Sequence, residues 1–267
     1  MTLIVHHLEN SRSQRVLWLL EELQLPYDVK RYERNKKTLL APPELRKVHP
    51  LGKSPVIEDT DTAGTRHVIA ETGAIIDYLV AKTGTLGPSL SSTPSTANSL
   101  SNPLEPPTPI NPLTPSNPPT SSESRHPGAT SNSHTPSRST ASPPSTDPIR
   151  YRHFLHYAEG SLMPVLFTQL VLSRVPLLGR IALKKFQPMI DVHVDYVEAE
   201  LTHRPWFAGD SFTAADVMMS YPLEVARTRA GISRESHPQI FTWVDTIHAR
   251  PAYQAALSRG GPYAFIR

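Results

Sequence analysis

Cysteine is absent from all 267 residues, which excludes a disulfide scaffold, thiolate metal ligation and a cysteine nucleophile. A chain of this composition that performs thiol chemistry must borrow the thiol. There is no run of five or more basic residues, and the net charge of +3 is spread thinly, so neither nucleic acid nor an anionic membrane is implied as a partner. Long hydrophobic runs are missing too. The longest, residues 162–172, contains Pro164 and Gln169 and falls well short of the roughly twenty residues a spanning helix needs. Residues 1–10 hold one short apolar run, Leu3-Ile4-Val5, without the basic head and long apolar core of a secretory signal. The expectation is a soluble cytoplasmic protein with no integral membrane segment.

Between about residues 85 and 147 the composition breaks. Aromatic residues vanish, charges are few, and half of the prolines of the whole chain, 14 of 28, lie there among Ser, Thr and Asn. Such a segment buries too little apolar surface to offset its chain entropy, so it is expected to be a disordered insert. As a surface loop it is tolerable, because each doubling of loop length costs only about 0.6 kcal/mol. Removing it leaves residues 1–84 and 148–267, which differ in character.

In the first segment the patterning predicts strands over 2–8, 27–32, 56–58 and 67–70 and helices over 11–23, 43–48 and 71–81. The order βαβαββα implies a parallel crossover followed by a hairpin on the same sheet, the thioredoxin-like topology. The second segment carries helical stretches only, over 149–172, 187–202, 214–230 and 239–249, and is expected to be an all-α domain. Its clearest local signal is Thr213-Ala-Ala-Asp216. Thr213 can cap the following helix while the Asp216 carboxylate reaches back to the Thr213 amide, with Phe212 and Val217 forming a hydrophobic staple.

Three junctions in the first segment carry chemistry-bearing residues. Asn10-Ser11-Arg12-Ser13 lies between the first strand and first helix, where free amides and the helix dipole favour an anion. A hydroxyl there can lower a bound thiol's pKa, or Ser11 is an N-cap. His49-Pro50-Leu51-Gly52-Lys53-Ser54-Pro55 runs into a strand. Ser54, preceding proline, must be extended, and its backbone can pair with a peptide ligand, or this is an ordinary turn before an edge strand. In Glu71-Thr72-Gly73 a carboxylate suits an ammonium, and a hydroxyl with helix-start amides suits a carboxylate, or both residues form a favourable first helical turn.

These three stretches, with Arg15-Val16-Leu17-Trp18, Tyr157-Ala-Glu159-Gly-Ser161 and Phe207-Ala-Gly-Asp-Ser-Phe-Thr213, are similar in order and spacing to the glutathione transferases, over essentially the whole chain except the insert. The resemblance is to fungal and bacterial members, including a yeast enzyme associated with the endoplasmic reticulum. It implies a transferase that conjugates the glutathione thiolate to apolar electrophiles and reduces hydroperoxides, with glutathione as co-substrate and no metal. Glu71 and Thr72 would hold the γ-glutamyl group, Ser54 would pair with the cysteinyl part, and Lys53 would approach a carboxylate. Ser11 would be the thiol's partner, with Asn10 and Ser13 as the other candidates. The second-substrate pocket would be lined by Phe154, Tyr157 and Ser161, and the protein would be a homodimer, with peripheral association to the endoplasmic reticulum open to it. The alternative is a non-enzymatic scaffold or ligand carrier of the same fold. His6 and His7 point to opposite strand faces, and His153 and His156 lack a matching carboxylate or cysteine set, so no metal site is expected.

Overall fold

A computed structural model describes residues 2–88 and 146–266. Of the insert expected over 85–147, residues 89–145 lie outside the described residues. Met1–Ser89 and Pro144–Arg267 belong to one compact unit.

The N-terminal half is a four-stranded sheet flanked by helices. Strands β1 (Thr2–Leu8), β2 (Asp28–Tyr32), β3 (Val56–Thr60) and β4 (Arg66–Ala70) stand in the order β2-β1-β3-β4. β1 pairs parallel with β2 and antiparallel with β3, and β3 and β4 form the antiparallel hairpin. This is the expected thioredoxin-like sheet. Helix α1 (Ser13–Glu22) crosses from β1 to β2, followed by the short α2 (Leu45–Val48) and by α3 (Thr72–Thr83). α1 ends where Gln24 turns left-handed and the Leu25 amide donates to the Leu20 carbonyl, a Schellman closure that satisfies carbonyls the helix itself cannot. Val16, Leu17, Trp18, Leu19 and Leu20 are all fully buried, because α1 packs against the sheet and against the helical half of the molecule.

The helical half begins with α4 (Pro148–Tyr157), whose first amides are capped by the Asp147 carboxylate. A π-helical turn, Ala158–Leu162, joins it to α5 (Met163–Ser173). The sequence predicts one uninterrupted helix here. Pro164 lacks the N–H that would reach the Gly160 carbonyl, and the ladder resumes by a five-residue step from the Met163 amide to the Ala158 carbonyl. α6 (Leu178–His203) starts nine residues ahead of expectation and runs through Pro188. That proline reads in the sequence as a helix start.

Helix α7 (Ala214–Arg229) is buried continuously from Ala214 to Ala226 and forms the axis of this half. Its start is the expected capping box. Asp216 accepts from the Thr213 amide at 2.8 Å and from the Phe207 amide at 2.9 Å. Burial pushes the Asp216 carboxyl up to about 7, against these hydrogen bonds, which favour its ionised form. Phe212 packs against Trp18 and Trp206. α8 (Pro238–His248) follows as expected, and α9 (Pro251–Gly260), absent from the sequence reading, lies along α1. No helix among the described residues is long and apolar enough to cross a membrane.

Candidate functional site

Arg15 anchors the site from below. Its side chain is 1% exposed and donates to the Met218 carbonyl at 2.6 Å, to Glu159 Oε1 at 2.5 Å and to Thr72 Oγ1 at 3.3 Å. It therefore ties α1 to α3, to the π turn and to α7. Arg12 Nε donates to both oxygens of the same Glu159, at 2.8 and 2.9 Å. Burial pushes the Glu159 carboxyl up, but Arg15 and Arg12 outweigh it and hold the group below its usual range.

The β1–α1 junction is tightly hydrogen-bonded. Ser11 Oγ donates to the Leu8 carbonyl at 2.7 Å and accepts from the Ser13 amide at 3.2 Å, while Ser13 Oγ lies 2.8 Å from His7 Nδ1. Both serines are buried, and neither lines any of the three cavities that meet at Arg12. Ser11 thus serves the backbone, but not as the N-cap the alternative expected: Arg12 occupies that position. Asn10 differs. It takes a left-handed φ of 49°, a conformation asparagine tolerates better than most residues. Its Oδ1 accepts from the Ala264 amide at 2.7 Å, and among the described residues its Nδ2 has no partner.

The second junction carries a cis Ser54–Pro55 bond. Ser54 Oγ donates to the His6 carbonyl at 2.7 Å and accepts from the Leu8 amide at 3.2 Å, which fixes the segment to the end of β1. At the third, Glu71 stands exposed at φ 73°. Thr72 is buried, and its oxygen accepts from Arg15, which leaves its O–H free to donate.

Lys53, Ser54, Glu71 and Thr72 line one cavity of about 790 Å³, together with Arg12, Asp77 and Glu159. A smaller cavity of about 530 Å³ shares Arg12, Lys53 and Ser54 with it and is lined further by Arg34 and Arg46. A third, of about 730 Å³, shares Arg12, Arg34 and Phe167 with the second and is lined further by Asn10, Leu166, Tyr221 and Phe265. Arg12 lies at all three. Among the described residues carboxylates line only the first of the three, and every charged residue lining the other two is an arginine or a lysine.

Phe154, Tyr157 and Ser161, the residues expected at the second-substrate pocket, do not line the cavity at Leu166 and Phe167. Phe154 is fully buried against Phe207 and Tyr196. Tyr157 is hydrogen-bonded to His193 at 2.7 Å and, with Ser161, borders a separate hollow. The third cavity is lined by Met163, Leu166 and Phe167, which follow the π turn on α5. His6 binds Tyr32 and Glu58, and His153 binds Tyr196. No group of three metal-ligating side chains occurs among the described residues. Arg12 and Glu159 were missed by sequence reasoning as functional residues. Both stand inside motifs that drew attention, but 147 positions separate them.

The glutathione S-transferase N-terminal domain family model matches residues 11–82, and the glutathione S-transferase C-terminal domain model matches residues 179–251. Glutathione S-transferase 1 of Saccharomyces cerevisiae is 30% identical over 268 residues, which cover 94% of this chain and 92% of that protein. Glutathione S-transferase 3 of Schizosaccharomyces pombe is 28% identical over 96% of this chain and 87% of its own length. A crystal structure of a glutathione S-transferase from Actinobacillus pleuropneumoniae, 25% identical, superposes with a TM-score of 0.68 over 99% of this chain and 96% of that one. Matches to both halves, near-complete coverage of the relatives, and a cavity between the sheet and the helices lead to one assignment: the chain belongs to the glutathione S-transferase family.

Proposed function

We propose that the protein binds glutathione in the cavity at Glu71 and conjugates its thiolate to apolar electrophiles held in the cavity at Phe167 and Tyr221. The observation that carries this reading is the charge lining the adjoining cavities. Glu71 and Asp77 line the first, suited to the ammonium of the γ-glutamyl group, with Arg12 and Lys53 on the wall it shares with the second, where Arg34 and Arg46 join them, suited to carboxylate and thiolate. The Thr72 O–H meets the γ-glutamyl carboxylate, the Ser54 backbone pairs with the cysteinyl unit, and Lys53 receives the glycyl carboxylate. A relative from Pseudomonas fluorescens, whose fold this chain shares at a TM-score of 0.63 and 18% identity, was solved with two glutathione molecules bound.

Of the three candidates for the thiol's partner, Asn10 is favoured. Its Oδ1 is taken by the Ala264 amide, so its Nδ2–H₂ is the group left to donate to a sulfur, whereas the Ser11 and Ser13 hydroxyls are turned to the backbone and to His7. Donation to the charged form lowers the thiol's pKa, and cationic surroundings act in the same direction. A hydroperoxide entering the same cavity meets the same thiolate. One glutathione sulfur takes the terminal oxygen and releases the alcohol, and a second glutathione displaces it as water, leaving the disulfide. By family resemblance the protein assembles as a homodimer, which light scattering checks.

Calorimetric titration with glutathione, combined with the ultraviolet thiolate band followed against pH, tests the reading. Wild type is expected to bind and to show a thiolate below the free thiol's pKa. Asn10→Ala should raise that pKa by about one unit while Ser11→Ala does not, and Glu71→Ala should weaken binding at least tenfold. No binding at millimolar glutathione overturns the proposal.

A further inference from the structure

The third cavity is mainly apolar, and the charges on its wall are of one sign. Leu166, Phe167 and Leu170 come from α5, Tyr221 and Val225 from α7, and Phe265 from the C-terminal segment, and among the described residues no Asp or Glu lines it. Four arginines do: Arg12, Arg34, Arg174 and Arg229. Two of them are committed elsewhere. Arg12 is bound to Glu159, and Arg34 donates to the carbonyls of Glu9, Leu39 and Asn10. The guanidinium groups of Arg174 and Arg229 form no ion pair and no hydrogen bond among the described residues.

A neighbour on the same helix sharpens the contrast. Arg227 pairs with Asp245 at 3.1 Å and lies over the Phe241 ring. Arg229, two residues on, lies half-buried over the Phe265 ring with its centre 5.2 Å from the ring centroid, and it faces the cavity with no carboxylate to meet it. A cation at a helix C-terminus interacts favourably with the helix dipole by about 0.3–1 kcal/mol. That accounts for Arg227 and Arg229 alike and gives no reason for one of them to be set at an apolar cavity without a counter-ion. A free guanidinium beside an apolar wall is a receptor for a carboxylate whose attached chain the wall can cover.

We infer that the second substrate is an amphipathic electrophile with an anionic head group: a medium-chain enone or enal bearing a carboxylate. The head meets Arg229 and Arg174, the chain lies on Leu166, Phe167 and Val225, and the electrophilic carbon reaches the end of the cavity at Arg12 and Asn10. This inference rests on the transferase reading above and adds the substrate class to it. In the step, the glutathione sulfur forms a bond to the β-carbon, the C=C π pair moves toward the carbonyl oxygen, and the enolate takes a proton from water. The carboxylate is unchanged.

The test is steady-state conjugation of a medium-chain enone with a terminal carboxylate and of its methyl ester, which differ in charge and little else. Wild type should show a KM for the acid roughly tenfold below that for the ester, a difference of about 1.4 kcal/mol. Arg229→Gln should raise the acid's KM about tenfold more than the ester's, and Arg229→Lys should restore part of the difference. Arg174→Gln is a second variant expected to act in the same direction, and each variant's glutathione affinity by calorimetry shows that it folds. Equal KM values for acid and ester in the wild type, or variants that shift both substrates alike, overturn the inference while leaving the transferase reading intact. A wild type that binds no glutathione overturns that reading, and this one with it.

Discussion

His7 is held neutral by its surroundings. Burial pushes its pKa down to about 4, the nearby Arg31 adds to the effect, and its Nδ1 lies 2.8 Å from the Ser13 hydroxyl beneath the candidate thiol site. An unfolded chain protonates histidine near 6.5. The folded state therefore gains stability from His7 that is fully present above about pH 6.5 and is lost as pH falls toward 4, up to about 3 kcal/mol in all. Urea unfolding at pH 7 and pH 4.5 should show this loss in wild type and a smaller one in His7→Gln; equal slopes with pH would refute it. Glu159 presents the complementary case. It is the shared counter-ion of Arg12 and the buried Arg15, so Glu159→Gln leaves a buried guanidinium without an anion and should destabilise the fold by about 3–5 kcal/mol, read from the same unfolding curves. A loss below about 1 kcal/mol would mean that water reaches Arg15. At this scale the sequence is legible where partners are contiguous. Glu71 with Thr72, and Lys53 with Ser54, stand at adjacent positions in loops that can be recognised from their own residues. Ser11 was harder to judge, because whether a hydroxyl faces a ligand or its own backbone depends on a left-handed residue beside it, Asn10.

Close approach between elements leaves a mark on their composition. Gly260, at the end of α9, faces α1. A Cβ built there lies 2.8 Å from Gln14 Oε1, 2.9 Å from Leu17 Cδ1 and 3.3 Å from His7 Nε2. Gly260→Ala should therefore cost about 1–3 kcal/mol through overpacking. Gly160, where an added Cβ meets nothing within 4 Å, should tolerate the same change with no loss, and thermal unfolding of the two variants separates them. Element type and order were legible wherever one local signal sufficed: the apolar run Leu3-Ile4-Val5 in β1, the capping box of α7, the apolar face of α1. The sequence misled where proline was the only cue. Pro188 reads as a start and lies inside α6, while Pro251 is a start and α9 behind it lacks a clean apolar face. The π turn was illegible in advance because its cause, Pro164, is equally compatible with an ordinary helix beginning there.

At the scale of the molecule, the two halves are joined by side chains that are distant in sequence. Arg15 reaches the Met218 carbonyl, 203 positions away. Glu22 takes a bidentate pair from Arg250 at 2.6 and 2.9 Å across 228 positions, and that guanidinium also lies 4.0 Å from the Phe212 ring centroid. The fold of each half was legible from its own segment, because secondary structure is a local matter. The cavities between them were not, since every wall combines residues from both ends of the chain. That arrangement bears on how the molecule is made. The helix that covers α1 is made long after it: at about 5–20 residues per second the 228 residues between Glu22 and Arg250 take roughly 10–50 s to emerge. Throughout that interval the ribosome-bound chain displays the uncovered face of α1, with Leu17 and Trp18 in it, and nascent copies of this protein are accordingly expected to be clients of chaperones that bind exposed apolar helices.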